Sequence, residues 1–116
     1  MKDILIIGGA GKIGLEILKR LVDSNYNITV LDLESRVSIK RLASVKDRIR
    51  VVYGDVEDSD LVRDLVKRND IVIHAAGVMP PLAELNEKIA NTNYIGSKIV
   101  VDAINELNPE CKLVYL

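Results

Sequence analysis

Four glycines stand within seven residues, at positions 8, 9, 11 and 14. They follow the apolar run Ile4, Leu5, Ile6, Ile7 and open a helical pattern that begins at Lys12. The chemistry such a stretch can do is to hold a pair of phosphates. A helix N-terminus offers unpaired N–H groups and the positive end of a dipole. A backbone without Cβ atoms lets an anion come within hydrogen-bonding distance of it. Two registers fit the glycines, Gly9-x-Gly11-x-x-Gly14 and Gly8-x-x-Gly11-x-x-Gly14. A mononucleotide loop of the form GxxxxGK[ST] is excluded, because it needs glycine at 6 and a hydroxyl residue at 13, where the chain has Ile6 and Ile13.

A second candidate follows at the right distance. The run NITVLD ends on Asp32, 18 residues beyond Gly14. A carboxylate there can accept from both hydroxyls of an adenosine ribose, and its charge repels a 2′-phosphate. NAD is therefore expected over NADP. Arg36, four residues on, is the kind of residue that serves NADP elsewhere; it reads better as a surface arginine.

These residues need elements to position them. DILII (3–7), NITVLD (27–32), RIRVVYG (48–54), DIVIHA (70–75) and KLVYL (112–116) are short, β-branched and almost continuously apolar. That pattern predicts strands buried on both faces of a parallel sheet. Between them, Ile13, Ile17, Leu18, Leu21 and Val22 form one stripe of a helix over 12–24. A weaker helix is predicted over 36–45, and a short one after a cap at Asp58 or Ser59. A long one is predicted from about 83, after Pro80-Pro81, to 107, ended by Asn108-Pro109. The order βαβαβαβαβ with right-handed crossovers gives an α/β fold. It is a Rossmann-type parallel sheet of five strands, order 3-2-1-4-5, with helices on both faces.

At 116 residues, 48% of them hydrophobic, one globular domain is expected over 1–116. A net charge of −1 argues against nucleic acid as a partner, since binding a phosphate backbone needs a basic excess. The most basic stretch, 36–50, carries six Lys/Arg and reads as a solvated helix face and loop. No apolar run is long enough to span a bilayer. Cys111 is the single cysteine, so neither a disulfide framework nor a metal cluster is expected, and a cytoplasmic setting is the simplest expectation.

Three further stretches complete a pattern. Gly54-Asp55-Val56 follows the third strand, His74-Ala75-Ala76-Gly77 the fourth, and Asn93-x-x-Gly96-Ser97 lies in the long helix. Taken singly, Asp55 is a turn former, His74 a strand-end histidine and Asn93 a buried polar residue. Taken in order with the glycines, the chain resembles the extended short-chain dehydrogenase/reductases, in particular the NAD-dependent epimerase/dehydratase family that acts on nucleotide sugars. The resemblance runs along the whole chain and implies the Gly8-x-x-Gly11-x-x-Gly14 register. It implies cofactor contacts from Gly8, Gly11, Lys12, Ile13 and Gly14 on the loop and helix start, and from Asp32 on the ribose. It further implies Asp55 on the adenine amino group, Val56 on the ring edge, and Ala75, Ala76 and Gly77 along the phosphates and nicotinamide ribose. Asn93 is implied to support the active site.

The family's catalytic Ser or Thr lies just after the fifth strand, with Tyr-x-x-x-Lys on the next helix. No catalytic residue of that set is expected in this chain. Tyr94-x-x-x-Lys98 has the spacing but precedes the fifth strand, overlaps the Asn93 motif and is read as a decoy. The expectation is that 1–116 is the NAD-binding portion of a longer enzyme, truncated after its fifth strand and inactive alone. Its substrate in the full-length protein would be a nucleotide sugar or another small carbonyl or alcohol compound. Homodimerisation through the face beside the fifth strand is expected of the fragment. The other reading is a non-catalytic dinucleotide-binding sensor or regulatory module, so whether the chain is an enzyme stays open at this point.

Overall fold

A computed structural model describes residues 1–76 and 87–116, with side chains described from 93 onward in the last helix. Gly77, the Pro80-Pro81 boundary and the expected first turn of the long helix lie outside the described residues. The strands are β1 (Lys2–Ile7), β2 (Tyr26–Asp32), β3 (Arg50–Tyr53), β4 (Ile71–His74) and β5 (Lys112–Tyr115). Among the described residues the helices are α1 (Lys12–Leu21), α2 (Arg36–Leu42), α3 (Ser59–Lys67) and α4 (Glu87–Leu107), with a 3₁₀ turn at Lys46–Arg48.

The sheet is parallel throughout and its order is β3-β2-β1-β4-β5, as the pattern predicts. β1 lies in the middle, with Ile7 level with Leu31 on one side and His74 on the other. Asp32 stands beside Tyr53, and His74 beside Tyr115. The C-terminal strand ends therefore form one rim, with the order reversing between β1 and β4. That reversal is where open α/β sheets bind ligands.

Side chains of β1 alternate between two cores. Leu5 and Ile7 join Leu31, Val72 and the apolar sides of α3 and α4, through Val62, Val66, Val100 and Ala103. Ile4 and Ile6 join Val30 and Ile73 under α1 and α2, through Leu18 and Leu42. Both faces of the sheet are thus covered, and the loop after β1 cannot shift without disturbing both cores. At roughly 25 cal/mol per Å² of buried apolar surface, each of the Val, Leu and Ile side chains among these contributes about 1.5–3 kcal/mol.

Two expectations are corrected. The helix read over 36–45 stops at Leu42, because Val45 must turn inward to be buried and the chain tightens into the 3₁₀ turn. The strands are not all buried on both faces. β1 is, but every residue of β5 is exposed, and β3 is half-covered, since each is an edge strand paired on one side only.

The caps follow the local chemistry. Asp58 accepts from Leu61 N–H at 3.3 Å at the start of α3. Ser35 and Ser38 exchange bonds as a capping box on α2. Asn108 ends α4 by donating to the carbonyls of Val66 and Asn69.

Candidate functional site

The glycine loop turns sharply at Gly8, whose φ is +85°. Gly8 N–H donates to Leu31 C=O at 2.8 Å, and Gly11 N–H to Gly8 C=O at 3.1 Å. A Cβ at Gly8 would stand 2.6 Å from the Ala76 nitrogen, and one at Gly14 only 2.1 Å from the Gly8 oxygen. Both clashes are with backbone. A Cβ on Gly9 would instead meet the Val30 side chain at 2.6 Å. The backbone thus imposes glycine at 8 and 14, the outer pair of the Gly8-x-x-Gly11-x-x-Gly14 register, while Gly9 makes room for a core residue of β2.

α1 begins just beyond. Its N-cap is Gly11, which has no side chain to give, and its first turn carries no acid. The first N–H groups of a helix have no partner within it. In α2 and α3 a serine and an aspartate satisfy such groups. In α1 they are left to whatever anion arrives, and the Lys19 and Arg20 charges sit at the opposite end.

The loop borders a cleft of about 310 Å³ at the C-terminal rim of the sheet. The expected residues Gly8, Gly11, Asp32, Asp55, Val56, Ala75 and Ala76 all line it, and so does Asn93, half-buried on α4. Gly14 is buried beneath the loop instead, and Lys12 and Ile13 are exposed at the helix mouth without lining the cleft. Gly77 lies outside the described residues. Leu33 also lines the cleft and was not singled out from the sequence. An apolar residue just after the strand-end acid was its only signal.

Two carboxylates on the rim are already engaged by backbone. Asp32 Oδ2 accepts from Ala10 N–H and Oδ1 from Leu33 N–H, both at 2.8 Å. Each oxygen keeps a second lone pair for a ligand. Asp55 Oδ1 accepts from Glu57 N–H at 2.9 Å, an Asx turn that fixes the loop after β3. Val56 then packs into α4 at Gly96, where a Cβ would lie 2.8 Å from Val56 Cγ1. That contact gives the glycine of the Asn93 motif a physical reason.

His74 closes the floor between β1 and β5. Its Nε2 lies 3.2 Å from Ser97 Oγ, which in turn lies 3.1 Å from Tyr115 Oη. Its Nδ1 is buried with no hydrogen-bond partner among the described residues. Burial pushes the imidazole below its ordinary value near 6.5, so it is neutral at pH 7. The unfolded chain then binds a proton that the folded chain resists, and stability rises with pH through this window. The unfolding free energy should therefore fall as pH drops from about 7.5 to 5.5. Urea titrations across that range should show the fall in the wild type and a smaller one in His74→Gln.

Tyr94 and Lys98 stand apart from the cleft. Tyr94 is 64% exposed, and Lys98 Nζ is paired with Asp102 Oδ2 at 2.6 Å. The Asp102 carboxylate holds Lys98 above its ordinary value. Asp102 is thus the first partner of this lysine, ahead of Tyr94. Tyr94→Phe should leave dinucleotide affinity within about twofold of wild type by calorimetric titration. A larger loss would bring the pair back as part of the site. Among the described residues, no group of three His, Cys, Asp or Glu is placed to hold a metal ion, and no helix is long and apolar enough to cross a membrane.

Comparison with known proteins finds relatives in sequence and in fold. The chain is 38% identical over 111 residues to a dTDP-glucose 4,6-dehydratase of Mycolicibacterium smegmatis, covering 90% of this chain and 33% of that protein. Among solved structures, Pen from Bacillus thuringiensis superimposes with a TM-score of 0.85 at 26% identity, over 98% of this chain and 36% of that one. The UDP-Glc/GlcNAc 4-epimerase from Campylobacter jejuni shares the fold, with a TM-score of 0.82 at 24% identity over 99% of this chain and 36% of that one. The chain spans about a third of the length of the curated relatives it matches. The model of the NAD dependent epimerase/dehydratase family matches residues 4–116, and the chain belongs to that family.

Proposed function

We propose that residues 1–116 form the NAD-binding portion of an epimerase or dehydratase that acts on a nucleotide sugar or a related carbonyl or alcohol compound. The observation that carries this reading is the uncapped start of α1 opening beside a cleft whose rim holds the Asp32 carboxylate. The cradle fits a dinucleotide, because the turn that shapes it leaves no room for Cβ atoms at 8 and 14 and no side chain satisfies the helix start. In this reading the backbone of Gly8, Gly11, Lys12, Ile13 and Gly14 faces the diphosphate. Asp32 accepts from the adenosine ribose through its free lone pairs. Asp55 Oδ2 takes the adenine amino group, with the Val56 backbone at the ring edge and Leu33 beside the ring. Ala75, Ala76 and Gly77 border the nicotinamide ribose, and Asn93 supports that end.

The nicotinamide, when bound, supplies reversible hydride exchange with a sugar carbon. The part played by this chain is to grip, orient and shield it. The residues that move a proton on the sugar belong, in this reading, to the remainder of the longer protein, and the 1–116 segment is inactive alone.

NAD should bind at least about tenfold more tightly than NADP, because the Asp32 charge opposes a 2′-phosphate. Calorimetric titration of both cofactors tests this. Equal affinities would remove the ribose role from Asp32.

A further inference from the structure

Ala10, inside the glycine turn, is gripped at both of its backbone polar groups by charged side chains. Its N–H donates to Asp32 Oδ2 at 2.8 Å, and its C=O accepts from Arg41 Nη1 at 3.1 Å. Asp32 comes from the end of β2 and Arg41 from the last turn of α2, 31 residues from Ala10. The Ala10 methyl is buried in the core beneath α1 and α2. Two consecutive peptide planes are fixed in this way. Asp32 holds the plane between Gly9 and Ala10. Arg41 holds the oxygen of the plane between Ala10 and Gly11, whose N–H is tied to the Gly8 oxygen.

The second plane matters most, because Gly11 is the N-cap of α1 and its ψ of 171° sets the direction in which the helix starts. Rotating that plane would re-aim the unpaired amides of Lys12, Ile13 and Gly14. Arg41 itself is exposed and, among the described residues, takes part in no ion pair. Among the described residues the guanidinium holds no carboxylate, and it donates to a carbonyl of the anion-binding turn. Arg41 also raises the local positive potential without standing in the cleft, since it is not among the lining residues.

We infer that Arg41 is a positioning residue for the dinucleotide: it locks the peptide before the N-cap of α1 so that the helix-start amides face the diphosphate. The inference rests on the NAD site proposed above. Its test uses Arg41→Met, which keeps the aliphatic stem and removes the donor, and Arg41→Lys, which restores a charged donor. NAD, ADP-ribose and AMP are titrated calorimetrically, and the melting temperature of each unliganded protein is recorded.

The expected result is that Arg41→Met weakens NAD and ADP-ribose alike, by about tenfold. AMP, which lacks the diphosphate, should be affected by less than about threefold. Arg41→Lys should recover most of the loss, and the unliganded melting temperatures should agree within about 2 °C. The amide resonances of Gly11 and Lys12 should move in the unliganded Arg41→Met protein. Wild-type NAD affinity in Arg41→Met would overturn the role of Arg41 alone. An equal loss for AMP and NAD would overturn it as well, by showing a general electrostatic effect. Absence of NAD binding by the wild type would remove the cofactor site itself, and this inference with it.

Discussion

Gly8→Ala should lower the unfolding free energy by about 2–4 kcal/mol and abolish measurable NAD binding. Two costs combine. The residue sits at φ +85°, where an L side chain costs about 1–2 kcal/mol, and the new methyl would press on the Ala76 backbone. Nothing there is a flexible side-chain end that could swing away. Gly14→Ala should behave alike for a different reason. Alanine inside a helix is favoured over glycine by about 1 kcal/mol, but a Cβ 2.1 Å from the Gly8 oxygen cannot be accommodated without moving α1 off the loop. The clash wins. Gly9→Ala should cost only about 1–2 kcal/mol, since its Cβ meets the Val30 side chain rather than backbone. Urea denaturation of the three variants, with unchanged slopes and ordered midpoints, checks the ranking. Against a domain stability of about 5–15 kcal/mol, the first two losses are large enough to populate unfolded protein at 37 °C.

Asp32→Ala should raise the dissociation constant for NAD by about 10–100-fold while leaving NADP binding no weaker than before. The variant loses the acceptor for the ribose hydroxyls, and charge-assisted bonds of that type contribute about 1.5–3 kcal/mol each. It also releases Ala10 N–H, so the turn slackens before any cofactor arrives. For NADP this second loss is offset by the disappearance of a like charge facing the 2′-phosphate. The ratio of the two affinities should therefore collapse toward one. Asp32→Asn separates the two effects. Its amide oxygen can still accept from Ala10, so it should recover loop order in amide-exchange measurements without recovering the full NAD preference. A preference for NAD that survives in Asp32→Ala would place its origin elsewhere.

Most of the architecture could be read from residue order because the chain is locally consistent. β1 shows four successive apolar residues because the alternate side chains feed two different cores. The order 3-2-1-4-5 followed from crossover handedness. The glycine register needed more than spacing. Gly8 and Gly9 look equivalent in the sequence, and it takes the φ of +85° at Gly8 and the approach of Ala76, 68 positions along the chain, to distinguish the one that backbone geometry demands. The role of Arg41 was hidden for the same reason. It lies in a basic stretch that composition assigns to solvent, and its partner is a carbonyl, which carries no sequence signature. His74 was visible as a strand-end residue, but its neighbours Ser97 and Tyr115 come together only through the pairing of β4 with β5 and the rotation of α4. The exposure of β5 reflects position at the sheet edge, which its apolar sequence does not encode.

The central claim is that the first amides of α1, set by the glycine turn and Asp32, receive the diphosphate of NAD. The most direct measurement is an amide ¹H–¹⁵N titration of the ¹⁵N-labelled chain with NAD. The account predicts saturable shifts concentrated at Gly8 to Gly14, Asp32, Leu33, Asp55 and Val56, together with stabilisation of about 2.7 kcal/mol at a hundredfold excess over the dissociation constant. Unchanged resonances at those positions in millimolar NAD, or shifts confined to the basic 36–50 stretch, would contradict it.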